Sequence, residues 1–215
     1  MGLLLMGDDT KAALHTIARL ADRQFGPRRR TQLPNLLVMT DRGEQGHAQG
    51  IIEAVPAGTI VCLRDYEMPD RWQYAAQLAR SARQHSIRFV VAGDIRLAMQ
   101  VGAWGVHIPE DLWRDSIRHL GTARRLGLRV STAVHSAKAA AAVSRRGPVL
   151  CDYATVSPVF PTHSHPGAKT LGALGLSRIL GALDVPAYAL GGINQTTIAN
   201  TAGLPLAGIA GIRFS

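Results

Sequence analysis

Residues 187–211, AYALGGINQTTIANTAGLPLAGIAG, decide the fold. They hold two short runs, Ala187–Leu190 and Ala207–Ala210, that are apolar throughout rather than alternating, with a glycine-containing turn and a short helical stretch, Thr196–Thr201, between them. Continuous apolar runs of strand length mark strands buried on both faces, and a helix-length connection between two of them marks a parallel pair. Working back from this unit, six more short β-rich runs, most of them largely apolar, precede it: Leu36–Met39, Thr59–Leu63, Phe89–Ala92, Gly105–Ile108, Arg129–Thr132 and Tyr153–Val156. Amphipathic or alanine-rich stretches fall between most of them, at Arg71–His85, Ile95–Gln100, Leu112–Leu126, Ala137–Arg145 and Leu174–Leu183. Eight strands alternating with helices predict an α/β fold of the closed (β/α)8 TIM-barrel type, whose usual length starts at about 200 residues. An open doubly wound sheet is disfavoured, because no G-x-G-x-x-G turn follows the first run and the eighth run needs a neighbour on each side.

The two ends depart from a plain barrel. A helix-like segment, Asp9–Arg23, with the cluster Asp8-Asp9-Thr10 as its cap, precedes the first strand. Ser215 comes so soon after the eighth run that the eighth helix is expected to be missing or very short. The extra N-terminal helix is therefore expected beside strands eight and one, over the apolar surface an eighth helix would cover. The expected organisation is one domain over 1–215, with helix and connector at 1–33 and the barrel at 34–215.

Composition narrows the function. The chain has 215 residues, 47% hydrophobic and 18% charged, enough apolar side chain for one buried core and too much for a disordered chain. No apolar run reaches the length of a membrane span. Cys62 and Cys151 are too few for a disulfide framework and are expected reduced in strands. The start, MGLLLMG, lacks a secretory pattern, so a cytoplasmic location is expected. The formal charge of +9 raises the question of nucleic acid, but apart from Arg28-Arg29-Arg30 the basic residues are scattered, and aromatics are only 5%. Nucleic acid and membrane are not expected partners; anionic small molecules fit the charge equally well.

In this fold the chemistry sits just past the strand ends. The polar residues there are Asp41-Arg42, Arg64-Asp65-Tyr66, Gly93-Asp94, His107 with Glu110-Asp111, His135, the loop Pro158–Lys169, Gly191-Gly192-Ile193-Asn194 and the segment Gly208–Gly211. Paired glycines after strand seven and a Gly-x-x-Gly in the loop after strand eight let bare backbone N–H groups approach an anion, so a phosphate site is expected there. The alternative is that these glycines only make tight turns. His163 and His165 flank Ser164, but with no cysteine or carboxylate nearby they read as phosphate or solvent contacts rather than zinc ligands. No Ser-His-Asp or Cys-His arrangement stands out.

Six stretches, in order along the chain, carry a family resemblance: LLVMTDR (36–42), CLRDYEMP (62–69), GVHIPED (105–111), STAVHSAKAA (131–140), SPVFPTHSHPGAKTLG (157–172) and YALGGINQTTI (188–198). The chain resembles the thiamine phosphate synthase/TenI family over about Leu36 to Gly211. The resemblance implies a role in thiamin biosynthesis, a thiazole phosphate held by Gly191, Gly192 and Ile193 with Gly208, Ile209 and Ala210, and a homodimer. The synthase joins a hydroxymethylpyrimidine diphosphate to the thiazole phosphate, expels pyrophosphate and needs Mg2+. Of its pattern the chain keeps Arg64, Asp94, Thr162 and Ser164. It departs at Cys62 and Tyr66 (the outer positions of Gln-x-Arg-x-Lys), at Gly93 (Asn), at Ala133 (the Ser before the His) and at His165 (Lys). Lys169, in a longer loop, is a candidate to replace a lost lysine, and Asp94 with Glu110 or Asp111 to hold Mg2+; an exposed acidic loop is the alternative. The TenI branch shifts a double bond in a thiazole phosphate carboxylate by moving a proton, and its catalytic histidine corresponds to His135. Imidazole, with an ordinary pKa of about 6.5, suits that task; the alternative is that His135 caps the helix starting near Ala137. His107 reads more as a hydrogen-bonded barrel-interior residue than as a base. The lost cations favour a TenI-like thiazole tautomerase or a divergent member. A Mg2+-dependent synthase is the first alternative, and a non-catalytic phosphate-binding or regulatory barrel the second.

Overall fold

The computed structural model describes residues 8–26, 32–40, 47–162, 167, 169–212 and 214. Eight parallel strands close a barrel in sequence order: β1 (Leu36–Met39), β2 (Ile60–Leu63), β3 (Arg88–Ala92), β4 (Gly105–Ile108), β5 (Arg129–Val134), β6 (Tyr153–Val156), β7 (Ala187–Leu190) and β8 (Gly208–Gly211). The closing pair sets Leu37 against Ala210 and Val38 against Gly211. The helices are α1 (Asp8–Phe25), α2 (His47–Ala54), α3 (Arg71–Gln84), α4 (Ile95–Gln100), α5 (Trp113–Arg125), α6 (Ala137–Ser144) and α7 (Gly172–Gly181). Short 3-10 turns at Gly147–Val149 and Ile198–Thr201 complete the described elements. Among the described residues no helix comes after β8, and none is long and apolar enough to cross a membrane.

All eight runs read from the sequence are strands, and the TIM barrel with an added N-terminal helix is the architecture. Helix α2 was not expected. Its buried residues Ala48, Ile51 and Ile52, with Val55 just beyond, fall at helical spacing and form the stripe it turns to the barrel. Between β7 and β8 the connection shrinks to a 3-10 turn, and α1 takes the place left on that side. Its buried stripe, Leu14, Ile17, Ala18 and Ala21, joins the same apolar layer as Val38 and Ile209, and the helix contacts β8. Gln24 Nε2 ties its end down by donating to Ile198 O at 3.1 Å and Thr201 Oγ1 at 2.8 Å.

Alternation within each strand divides the core into two layers. Outward residues pack under the helices, whereas Leu37, Met39, Ile60, Cys62, Val90, Ala92, Tyr153, Tyr188 and Ala210 fill the barrel. Tyr153 meets Tyr188 edge-on at 5.5 Å and stacks on Trp104 at 6.2 Å, plugging the N-terminal half of the interior. Both cysteines are buried and unpaired, and burial pushes each thiol up to about 12, so both are packing residues. Towards the C-terminal ends the filling turns polar, with His107, Ser131 and Thr155 all buried. The interior opens there.

Candidate active site

A cavity of about 1430 Å3 occupies the C-terminal mouth. Its floor comes from inward positions near the strand ends, Met39, His107, Ala133, Thr155 and Leu190. Its rim comes from the loops at those ends: Arg64 and Tyr66 after β2, Glu110 and Asp111 after β4, His135 after β5, Pro161 and Thr162 after β6, Gly191 to Asn194 after β7, and Gly211-Ile212 at the end of β8.

Arg64 is held by the end of β1. Its backbone N–H donates to Thr40 Oγ1 at 2.9 Å and its Nε to Thr40 O at 3.2 Å, while Thr40 Oγ1 donates to Asp65 Oδ2. The two terminal guanidinium nitrogens make no hydrogen bond among the described residues, which leaves a half-buried, fixed cation on the cavity wall.

His135 stands at the opposite rim. Its Nδ1 lies 2.9 Å from Ser157 O, and since a carbonyl only accepts, Nδ1 is the donor, which in the neutral imidazole leaves the lone pair on Nε2. Ser157 Oγ, 3.2 Å away, shares that nitrogen. The backbone N–H of His135 donates to Glu110 Oε2 at 2.6 Å. His135 is not the cap of α6: that is Ser136, whose Oγ accepts from Ala139 N at 3.1 Å. His107 is an interior residue, as expected. It is 5% exposed with Nδ1 3.0 Å from Ser131 Oγ. Burial first, then the charges of Arg64 and His135, lower its pKa to about 4.

The acidic candidates separate. Glu110 and Asp111 line the cavity, whereas Asp94 does not. Asp94 caps α4, its Oδ1 accepting from Leu97 N at 2.9 Å, and its Oδ2 lies 4.0 Å from Arg71. Among the described residues no three or more His, Cys, Asp or Glu side chains gather as a metal site. The oxygen chemistry of Glu110 and Asp111 still suits a Mg2+ ion shared with a diphosphate. Beside Asp94, the half-buried ring of Tyr66 covers Gly93 so closely that a Cβ there would lie 2.8 Å from Tyr66 Cε1. The two departures from the family pattern are thus one: the ring fills the space an asparagine side chain would need. Arg71 lies over that ring, 5.5 Å from its centroid.

Gly191 and Gly192 have φ of +95° and +65°. A Cβ on Gly192 would stand well under 3.0 Å from Pro161 O, so the chain after β6 lies directly on this turn. Asn194 Oδ1 accepts from Thr196 N and Thr197 N and pins the next turn of the chain. Among the described residues the N–H groups of Gly192 and Ile193 have no acceptor. The glycines thus make a tight turn and leave two backbone N–H groups open beside the cavity. At β8 the expectation is corrected. Gly208, Ile209 and Ala210 are not in a loop but inside the strand, all three paired with β7 and the latter two also with β1, and of this segment Gly211 and Ile212 line the cavity. Gly208 is required by packing, since a Cβ there would collide with Asn35 O.

Thr162 lines the cavity, and Lys169 is exposed and not part of its wall. Ser164 and His165, with His163, lie outside the described residues. Residues missed by the sequence reading are Trp113, Arg114, Lys138 and Thr155, all on the wall. Arg114 and Lys138 sit in the first turns of α5 and α6, which in a barrel face the mouth; Thr155 is a hydroxyl at an inward position of an otherwise apolar strand.

Over residues 36–214 the sequence matches the family model described as thiamine monophosphate synthase. The chain belongs to the thiamine monophosphate synthase family. A thiamine-phosphate synthase from Pyrococcus furiosus is 29% identical over 164 residues, covering 74% of this chain and 76% of that one. One from Listeria monocytogenes is 28% identical over 178 residues, covering 78% and 80%. Among solved structures, the thiamine phosphate pyrophosphorylase of Pyrococcus furiosus superposes with a TM-score of 0.68 at 26% identity, covering 85% of this chain and 87% of that one. The YdjI aldolase of Escherichia coli, at 16% identity and a TM-score of 0.62, shares the fold alone.

Proposed function

We propose that this synthase-family member joins a hydroxymethylpyrimidine diphosphate to a thiazole phosphate with release of pyrophosphate. This departs from the preference for proton transfer drawn from the lost lysines, and the names of the relatives favour it. The observation that carries it is a single cavity holding two kinds of anion contact. One is the open N–H pair at Gly192 and Ile193; the other is the fixed guanidinium of Arg64, with Arg114 and Lys138 also on the wall. Its volume of about 1430 Å3 exceeds the range of roughly 300–1,000 Å3 usual for one small ligand and suits two.

In this reading the thiazole phosphate lies on Gly191, Gly192 and Ile193 with Thr162. The ring nitrogen's lone pair forms the bond to the pyrimidine methylene carbon as the C–O bond breaks, and that bond's electron pair leaves with pyrophosphate. No proton has to move. Arg64 faces the leaving group and compensates the charge it gains. Mg2+, held by Glu110 or Asp111 with the diphosphate oxygens, would supply further compensation. A homodimer is part of the same reading, checked by light scattering.

A second reading has its own observation. His135, with Nδ1 donating to Ser157 O, offers Nε2 as a base, the arrangement a TenI-like tautomerase needs to take a proton from one ring carbon and return it to another. The deciding experiment measures thiamine phosphate by thiochrome fluorescence from both substrates, with and without Mg2+. Mg2+-dependent product, reduced about 100-fold in Arg64→Ala, is expected. No product under conditions where thiazole phosphate binds refutes the synthase reading; deuterium exchange into the thiazole phosphate carboxylate, abolished in His135→Asn, would then establish the second.

A further inference from the structure

Thr155 carries a hydroxyl that the bond-forming step does not use. It is fully buried on β6 at an inward position and lines the cavity floor, and its Oγ1 has no hydrogen-bond partner among the described residues. A buried hydroxyl without a partner is costly and is kept where something else requires it. Its register neighbour on β5 is Ala133, the position at which the family pattern has serine. A hydroxyl thus stands one strand over from Ala133.

The cavity sorts by charge. Arg64, Arg114, Lys138, Glu110 and Asp111 are on the upper wall, whereas the floor around Thr155 is Met39, Ala133, Leu190 and His107. His107 stays uncharged above a pH of about 4. A floor with neutral hydrogen-bonding groups and no charge suits a heteroaromatic ring, with phosphate groups left at the rim. We propose that Thr155 is a specificity-determining residue whose hydroxyl reads a ring nitrogen of the pyrimidine substrate. The thiazole is the poorer candidate, because a hydrogen bond to its nitrogen would occupy the lone pair that forms the new bond. The proposal rests on the two-substrate reading of the cavity.

The test is calorimetric titration of wild type, Thr155→Val and Thr155→Ser with hydroxymethylpyrimidine diphosphate, with inorganic pyrophosphate and with thiazole phosphate. Thr155→Val is expected to bind the pyrimidine diphosphate about fivefold or more weakly, the other two ligands within about twofold of wild type, and Thr155→Ser to bind like wild type. The melting temperature of Thr155→Val is expected to be equal or higher, since an unpaired hydroxyl becomes a methyl. Unchanged pyrimidine diphosphate binding in Thr155→Val overturns the proposal. So does equal weakening of all three ligands, or a loss confined to thiazole phosphate, or wild-type affinity for the pyrimidine diphosphate no greater than for pyrophosphate. If the expected pattern holds and no thiamine phosphate forms, the synthase reading alone fails.

Discussion

Lowering the pH from 7.5 to 4.5 should expose the cost of keeping His107 neutral inside the barrel. Burial lowers its pKa from 6.5 in the unfolded chain to about 4 in the fold. Between those values the unfolded state binds a proton that the folded state refuses, so stability is full above pH 6.5 and falls as the pH drops towards 4. A difference of about 2.5 units at 1.36 kcal/mol per unit gives a total of about 3 kcal/mol, of which about 2 kcal/mol is lost by pH 5. The chain has seven other histidines and many carboxylates, so the informative quantity is a difference. Urea unfolding of wild type and His107→Gln at half-unit pH steps isolates it: the variant is expected to lose about 2 kcal/mol less between pH 7 and pH 5. Parallel stability curves for the two proteins would show that His107 titrates normally, and the uncharged floor would lose its basis.

Contacts around the mouth give three further expected outcomes. Gly192→Ala drives a Cβ into Pro161 O at a φ of +65°, and should cost about 2 kcal/mol or more in urea unfolding and weaken binding of inorganic phosphate. Gly93→Ala should cost at least about 1 kcal/mol, part of it recovered in the Tyr66→Ala background, because the added Cβ meets the Tyr66 ring at 2.8 Å; a coupling of about 1 kcal/mol in the double-mutant cycle checks this. Ser136→Ala removes the cap of α6 and should lower stability by about 1 kcal/mol, read as a shifted urea midpoint with unchanged slope.

Periodicity made the barrel legible because most of its strands, covered on both faces, read as near-continuous apolar runs, with buried polar positions falling in β4, β5 and β6. Runs such as Ile60–Leu63 and Ala187–Leu190 are apolar from end to end. Helix α2 escaped because eight residues with a glycine inside them carry too little pattern, although Ala48, Ile51 and Ile52 are its buried face. The tight turn at Gly191-Gly192 was legible from the paired glycines. The error at Gly208–Ala210 came from reading glycine as a loop signal when here it marks the close passage of Asn35 past the strand. Contacts that depend on which strands lie side by side, such as Ala133 beside Thr155, need the register and could not be read from spacing.

The departures from the family pattern look, one at a time, like a site being dismantled: a lysine replaced by Tyr66, an asparagine by Gly93, a serine by Ala133. The structure groups them differently. Tyr66 and Gly93 go together in space, since the ring occupies the room a side chain at 93 would need, and Arg71 lies over the same ring. Ala133 and Thr155 are register partners, so a hydroxyl stands one strand over from the position where the family pattern has its serine. A decaying site loses groups independently, and nothing then selects a buried hydroxyl without a partner or a glycine shaped to an aromatic ring. Paired changes that preserve hydrogen-bonding capacity on the floor and enclosure at the rim are what continued binding of a ring bearing a phosphate requires. They support the reading proposed above, in which this mouth takes a ring bearing a phosphate, and Arg64, Arg114 and Lys138 place cations on its wall.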